Sequence, residues 1–581
     1  MKHIVDPKQT RLFDPYEAVF SEMAYQRLAD GWQGAFRHII LDLMPAHELG
    51  EHFHKIMGRP TKELYAVAGL LFIKEFKGWT PDEATLAFMF YGDIQYALNL
   101  EPAKQSMSTR TFERYEKLLR ADKLAAGVMD KVTTHLAKVL ELKIEQQRLD
   151  STHVFSDMAS FARTRLLGVA IKRFLTQVKR HAAETYAGLP EELRQRYEPS
   201  VHQLFGKAGK DAADRARLRQ QVAEDMHLLV ERFANDIAMS QRPTYQALVL
   251  IFQQQCVVES GKVTVRAKTG GNCVQNPSDP DATYDGKKGP GYQVQIAETC
   301  HPDNEVQLIT SALPQTAVES DACALQPVLE DLATKKLLPE TMLADTSYGS
   351  DANQRLAAEH GVELVSPVSG IKMDADRLNV DDFATDAAGR VVSCPAGRVP
   401  LEVVVVCAMV CAAETKTETE TETTTVVMPN AACAECEFRK ECPIEETRTG
   451  YRLEYTDKQR RLDERRREEA TEPFRERYRR RSGIESTNSG LKRRLAMGQL
   501  RVRGSPSVFP SILLKIAGWN LLRAAGSKKV RKLVAQKMAA ARRGGCFSRF
   551  LAPCPVCATQ TVELTRRPAA AAPAPLFFLA A

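Results

Sequence analysis

Apolar residues recur at helical spacing through the first part of the chain. In YAVAGLLFIKEFKGW and ATLAFMFYGDIQYAL they fall three and four residues apart, the period of a helix with one buried face. Another helix is predicted after Ser108, which suits an N-cap, and it carries Arg110 and Arg114 away from its apolar side. We therefore predict an all-α region over residues 1–140.

The last two helices of this region allow two interpretations. A short helix, a turn through EPAKQSMS and a basic second helix resemble a helix-turn-helix, whose second helix would bring Arg110 and Arg114 into a major groove of DNA. Many helix pairs that only pack against each other have the same pattern. The sequence leaves a DNA-binding domain and plain bundle packing both open.

The period changes to two at KIEQQRLDSTHVFS, which predicts a strand carrying Asp150. A long, charged helical pattern follows over about residues 160–260. Strand patterns then resume in GKVTVRA, GYQVQIAET and EVQLITSAL, and TMLAD ends the series at Asp345. This order predicts an α/β region over residues 141–390, with a sheet interrupted by a helical insertion.

Residues 391–454 differ in composition and contain a cluster of cysteines. Thr and Glu alternate in TKTETETETTT, which indicates a long hairpin strand or a low-complexity linker; we favour the strand. SCPAGR and ACAECEFRKEC place two cysteines at zinc-ligand spacing, with a third nearby and a fourth upstream. The four are Cys394, Cys433, Cys436 and Cys442. They indicate either a zinc-ribbon-like or β-rich insertion with a structural Zn²⁺, or free buried cysteines.

Positive charge is concentrated in the last part of the chain. Residues 456–504 contain sixteen Lys and Arg against eight Asp and Glu, and residues 526–545 contain seven Lys and Arg with no acid. Such blocks are typical of proteins that bind nucleic-acid phosphates, although a solvated helix with ion pairs explains RLDERRREEATEPFRERYRR nearly as well. Helices are predicted over residues 455–525. Residues 526–581 are basic, then rich in Ala and Pro, which predicts a disordered tail.

A single acid, Glu485, interrupts the basic stretch YRRRSGIESTNSGLKRR. On a helical wheel it falls within about 60° of Tyr478, Arg481 and Lys492, so one helix face would carry all four. A carboxylate beside bound phosphate is expected when Mg²⁺ lies between them, because Mg²⁺ prefers oxygen ligands and offsets both charges.

Two further acids are candidate partners of Glu485. Asp150 and Asp345 are set in apolar strand patterns, where an unpaired carboxylate is costly. Each could bind the same metal ion, or could simply cap a turn at a strand end.

The four residues of the basic stretch also match a known signature, which is Tyr, two residues, Arg, three residues, Glu, six residues and Lys. The sequence resembles bacterial insertion-sequence transposases of the DDE type that carry this signature. LDSTHV and LADTSYGS are similar to the first and second aspartate motifs of this family, and DGKKGPGYQVQIAETC to the strands between them. The likeness covers residues 1–525.

The resemblance implies an RNase H-like catalytic core with a mixed sheet. It implies a DNA transposase of a mobile element, which binds the terminal inverted repeats and target DNA and acts as a homodimer in the synaptic complex. The implied catalytic residues, which would bind Mg²⁺ or Mn²⁺, are Asp150, Asp345 and Glu485. The implied phosphate contacts are Tyr478, Arg481 and Lys492.

Two other functional classes stay open: a decayed or domesticated transposase that binds DNA without cutting it, and an RNase H-like nuclease that cuts without joining strands. Thirteen mostly scattered cysteines fit a reducing compartment. The sequence lacks a secretory signal pattern and any run of about 18 apolar residues. We expect a cytoplasmic, nucleoid-associated bacterial protein with no membrane partner.

Overall fold

The computed structural model describes residues 1–8, 14–158, 161–205, 211–369, 377–411, 418–448 and 450–544. These ranges form many helices around a mixed sheet, which confirms the prediction of an α/β protein. Within them, no helix combines the length and the apolar character needed to cross a membrane.

The N-terminal part is helical, and side-chain caps begin several of its helices. The hydroxyl of Ser108 accepts a hydrogen bond from the Thr111 N–H (3.3 Å), so Ser108 caps the helix predicted after it. A capping box at Thr80 begins another helix. The α-helices are α1 (Tyr16–Val19), α2 (Glu22–Ala29), α3 (Trp32–Ala35), α4 (Ala46–Gly50), α5 (Leu64–Lys77), α6 (Pro81–Phe90), α7 (Gly92–Ala97), α8 (Thr109–Ala121) and α9 (Leu124–Leu140).

A helical insertion follows the first strand, β1 (Gln146–Val154). Phe174, Met226 and Leu248 are fully buried in a hydrophobic core that is separate from the main one. Its elements are α10 (Arg163–His181), α11 (Ala183–Ala187), α12 (Glu191–Arg196), α13 (Ala212–Phe233), α14 (Ile237–Ser240), α15 (Pro243–Gln255), β2 (Cys256–Glu259) and β3 (Lys262–Val265).

The chain then completes a mixed sheet around β1. The new elements are β4 (Thr283–Asp285), β5 (Gly289–Thr299), β6 (Ile309–Thr316), α16 (Leu325–Thr334), β7 (Thr341–Ala344), α17 (Asp351–Glu359) and β8 (Glu363–Val365). β1 pairs antiparallel with β5, with Asp150 opposite Ile296, and parallel with β7, with Leu149 opposite Ala344. β5 also pairs with β4 and β6, and β7 pairs with β8.

The next part is a small β-rich insertion. Its elements are β9 (Ala384–Thr385), β10 (Val391–Ser393), β11 (Glu402–Cys411), β12 (Glu418–Met428), α18 (Asn430–Ala434), β13 (Glu445–Thr447) and β14 (Gly450–Thr456). β11 and β12 form an antiparallel hairpin with Val404 opposite Thr425, so the described Thr- and Glu-rich residues form a strand. β14 pairs with β12 and β13, and Val426 and Met428 are buried in a separate small core.

Helices return after β14, and they correct the expectation of one helix from Tyr478 to Lys492. The helices are α19 (Asp457–Glu469), α20 (Glu472–Arg479), α21 (Gly483–Arg494), α22 (Ser505–Ala525) and α23 (Lys528–Gly544). A 3₁₀-helix, Arg480–Ser482, separates α20 from α21. The Arg480 carbonyl accepts a hydrogen bond from Arg148 Nη1 (3.0 Å), a long-range contact that a helical wheel cannot include.

The expectation of a disordered tail from residue 526 is wrong for α23. Val530 and Val534 of this helix are buried against the main core. The basic segment therefore has an apolar side that packs on the rest of the protein. Residues 545–581 lie outside the described residues.

The N-terminal helices share one hydrophobic core with the sheet and the C-terminal helices. Phe72 of α5, Val132 of α9, Ile296 of β5 and Ile516 of α22 belong to the same buried cluster. In contrast to the two insertions, the described part of residues 1–140 places most of its buried apolar side chains in this shared core.

Gly490 allows α21 to pack closely on α22. A Cβ atom at this position would lie 2.2 Å from Trp519 Cη2. We expect Gly490→Ala to lower the free energy of unfolding by about 1–3 kcal/mol, because the ring or the helix must shift to make room. Gly127→Ala in α9 is the matched control, since a Cβ there has no neighbour within 4 Å. Thermal unfolding of both variants tests the contact, and an unchanged midpoint for Gly490→Ala contradicts it.

Candidate active site

Asp150 and Asp345 meet in the sheet. β7 ends at Ala344, which lies opposite Leu149 of the parallel strand β1, and each acid is the next residue of its chain segment. The register of two parallel strands therefore brings together two carboxylates that are far apart in sequence.

Asp345 also caps the turn that follows β7. Its Oδ1 accepts the Ser347 N–H at 2.9 Å, and its carbonyl oxygen accepts the Ser366 hydroxyl at 2.6 Å. The turn-cap interpretation is therefore right for Oδ1. The other carboxylate oxygen of Asp345, Oδ2, lies 4.0 Å from Arg481 Nη2.

A buried ionic network fastens the helix that carries Glu485 to the sheet. Glu298 of β5 is fully buried, and its Oε2 accepts hydrogen bonds from Arg148 Nε (2.8 Å) and Nη2 (2.5 Å). Its Oε1 accepts the Thr487 hydroxyl of α21 at 2.7 Å. Because side chains alternate along β1, Arg148 and Asp150 lie on the same face of the sheet. The network thus holds α21 against the face that carries Asp150.

Glu485 lies in the first turn of α21 and is directed outward. Ile484 and Leu491 of the same helix are fully buried, whereas the side chain of Glu485 is 69% exposed. Gly483 permits the close approach of the helix start, because a Cβ there would lie 1.9 Å from Arg148 Nη1.

Arg481 contacts all three candidate catalytic carboxylates. Its Nη2 lies 3.3 Å from Asp150 Oδ1 and 4.0 Å from Asp345 Oδ2. Its Nη1 lies 3.4 Å from Glu485 Oε1. Among the described residues, it is the one cationic side chain within 4 Å of these acids. The three acids therefore converge on a single positive charge.

Burial and charge act in opposite directions on Asp150. Burial raises the pKa of the Asp150 carboxyl, the positive charge of Arg481 lowers it, and the negative charge of Asp345 raises it again. The balance is a raised pKa, and burial is its largest cause.

The donor set fits a divalent metal ion, although a guanidinium group now lies among the carboxylates. Carboxylate oxygens are the ligands that Mg²⁺ and Mn²⁺ take, and three carboxylates surround one cation here. In the described ranges no three His, Cys, Asp or Glu side chains are already arranged around a common metal position. The positive charge beside these acids in the described chain is the guanidinium of Arg481.

An open groove lies beside the acids and has a basic wall. Lys492 and Lys288 line it together with Glu485 and His153. Loss of hydration in the groove, followed by the charge of Lys288, lowers the pKa of Lys492. Two cations that repel each other across a groove provide a favourable place for an anion.

Four polar residues near the acids escaped the sequence interpretation: Asn488, Asp321, Ser151 and Lys288. Asn488 Nδ2 donates to Asp150 Oδ2 at 3.1 Å. Asp321 accepts the Ser151 hydroxyl at 3.0 Å, and Lys288 Nζ donates to the same hydroxyl oxygen at 3.1 Å. Asn488 follows Glu485 by three residues, a spacing that could have identified it, whereas Asp321 belongs to no strand or motif that marks it.

The other predicted DNA contacts lie at two places. Tyr478 is half-buried and stacks on Phe474, with ring centroids 5.8 Å apart. Arg110 and Arg114 are exposed on α8, and the Arg114 guanidinium lies over the Phe53 ring. Residues 98–108 connect α7 to α8 and are longer than the three- or four-residue turn of a helix-turn-helix.

The four cysteines of the β-rich insertion come together. Cys394, Cys433, Cys436 and Cys442 line one small cavity, and none of them forms a disulfide.

The fold and site thus define an α/β protein in which three acids and one arginine meet beside a basic groove. A family model described as a transposase DDE domain matches residues 406–525. The matched part contains Glu485 and the residues around it, and it supports the resemblance to DDE transposases. No curated protein matches the chain.

Arg481→Gln should make the carboxylate cluster more dependent on divalent cations, because the acids lose their shared positive charge. We expect added Mg²⁺ to raise the thermal midpoint of Arg481→Gln more than that of the unchanged protein. Arg501→Gln is the control, since Arg501 is exposed and pairs with Glu83 instead. Equal Mg²⁺ shifts in all three proteins would count against a cation site at these acids.

Proposed function

We propose that the protein is an insertion-sequence DNA transposase that binds terminal inverted repeats and catalyses Mg²⁺-dependent strand cleavage and strand transfer. The observation that carries the proposal is the convergence of Asp150, Asp345 and Glu485 on one guanidinium beside a basic groove. The match of the transposase DDE model to the segment around Glu485 supports it. The mixed sheet, with Asp150 on β1 and Asp345 directly after the neighbouring strand β7, supports an RNase H-like core.

In this proposal Asp150, Asp345 and Glu485 hold Mg²⁺ or Mn²⁺. The bound metal supplies a Lewis acid that favours attack on a phosphodiester by water and then by a 3′-hydroxyl. The protein contributes the positions of the acids. Asn488 orients Asp150 through its 3.1 Å hydrogen bond, and the Glu298 network holds α21 in place.

Arg481 would contact DNA once released from the carboxylates. Its Nε is buried and has no hydrogen-bond partner in the described chain, so a donor is free for a phosphate oxygen. A guanidinium binds phosphate through paired hydrogen bonds, and Lys492 would act as a point charge in the groove. Tyr478 would add a contact from the end of α20.

The remaining parts of the proposal follow from the reaction. Arg110 and Arg114 are the proposed contacts of the N-terminal helices with the inverted repeats, since both are exposed. Two transposon ends must be brought together before joining, so we propose a homodimer in the synaptic complex. DNA in the bacterial nucleoid is the substrate, which requires a cytoplasmic protein.

Replacing any of the three acids should abolish cleavage and spare DNA binding. For Asp150→Asn, Asp345→Asn and Glu485→Gln we expect cleavage of end-containing DNA to fall by about a hundredfold or more, because the transition state loses charge stabilisation. Asp303→Asn is the matched control, since Asp303 pairs with Lys143 outside the acid cluster. Cleavage at the normal rate by an acid variant would remove that residue from the catalytic site.

The same assay separates the alternative functions. The unchanged protein with Mg²⁺ should yield cut and joined products. Binding without cutting would identify a DNA-binding protein that has lost transposase activity, and cut ends that are never joined would identify a nuclease.

Lys492→Gln should weaken DNA binding in a salt-dependent way. Each phosphate contact contributes about one unit to the slope of log affinity against log salt concentration. We expect Lys492→Gln to reduce this slope by about one unit, measured by a binding titration at several salt concentrations. Lys143→Gln, which alters a lysine away from the groove, should leave the slope unchanged. An unchanged slope for Lys492→Gln would exclude Lys492 as a phosphate contact.

A further inference from the structure

The cavity shared by the four cysteines is small and otherwise mostly apolar. Its volume is ≈ 20 Å³, about the room that one water-sized group needs. Leu378, Ala396, Phe438 and Ile444 are among the other residues that line it. A space of this kind suits a single ion held by sulfur better than an organic ligand.

The cysteines come from one helix and three loop positions rather than from one strand. Cys394 follows β10, Cys433 lies in α18, Cys436 follows α18, and Cys442 precedes β13. Cys394 and Cys433 are buried, and the other two are half-buried. The folding of the insertion therefore gathers thiols that are up to 48 positions apart in the numbering.

The turn after Cys394 directs a backbone N–H group at sulfur. The Arg398 N–H donates to Cys394 Sγ at 3.3 Å, in a turn where Gly397 has a φ of +73° that a residue with a side chain rarely adopts. Hydrogen bonds of this kind stabilise a thiolate, the form of cysteine that binds metals.

The hydrophobic core of the insertion is small. Among the described residues it contains eleven buried side chains, and Cys394 and Cys433 are two of them. Small cores of this kind are commonly completed by disulfides or a structural metal, and these cysteines form no disulfide.

We propose that Cys394, Cys433, Cys436 and Cys442 bind one structural Zn²⁺ ion. Four thiolates form a closed tetrahedral site, which leaves no ligand position for a reaction. In the described chain the thiols are not yet at metal-ligand positions, so zinc binding would draw the sulfur atoms inward and couple to folding of the insertion. β14 leads directly into α19, so the ion would stabilise the start of the helices that lead to Glu485.

Metal analysis of the purified full-length chain tests the proposal. Protein produced with zinc available should contain about one Zn²⁺ per chain, the number that one tetrahedral four-cysteine site holds. Cys436→Ser should lose most of the metal and unfold at a lower temperature. Cys256→Ser is the matched control, because Cys256 is buried in the helical insertion, and it should retain the metal.

A second measurement covers the case in which Cys436→Ser fails to fold. In the unchanged protein the four thiols should resist alkylation until a chelator removes the zinc, and mass spectrometry identifies the modified cysteines. Absence of zinc from the unchanged protein, or retention of zinc by a folded Cys436→Ser variant, would overturn the proposal. Neither result depends on DNA cleavage.

Discussion

The ion pair of Arg148 and Glu298 is the contact on which the candidate site depends. Glu298 is fully buried. Removing one partner of a buried ion pair of this kind costs about 3–5 kcal/mol, because the other charge is left unpaired. The pair joins β1 to β5 where the two residues are opposite each other, and Thr487 adds α21 to the same carboxylate. One network therefore fixes the strand of Asp150 relative to the helix of Glu485.

Sequence patterns could predict the parts of the site but not their arrangement. The strand that carries Asp150, and the helix that carries Glu485, follow from local period and composition. The break in the helix at Arg480–Ser482 does not follow from local sequence. It coincides with a hydrogen bond from Arg148, which lies more than 300 positions earlier in the numbering. The position of Arg481 among three acids likewise depends on distances that exist only in the folded chain.

Sequence patterns also could not show which parts of the chain share a hydrophobic core. Composition and period separate residues 1–140 from the sheet, yet the helices and the sheet share one core. Asn520 of α22 illustrates how the two parts are joined. Its fully buried side-chain amide accepts a hydrogen bond from the Ile309 N–H in β6 and donates one to the Ile309 carbonyl. The same amide also donates to the Thr133 hydroxyl of α9. Such contacts join three parts of the chain, and no local sequence pattern predicts them.

The electrostatics of the acid cluster couple DNA binding to metal binding under the proposed function. Three neighbouring carboxylates require a positive charge, and Arg481 or a divalent cation can supply it. A phosphate that attracts Arg481 removes the guanidinium from the acids and thereby raises their affinity for the metal. By linkage, a metal ion bound at the acids must strengthen the contact between Arg481 and phosphate by the same factor. Under the proposed function, the arginine that lies among the acids would thus be the residue through which substrate and metal promote each other's binding.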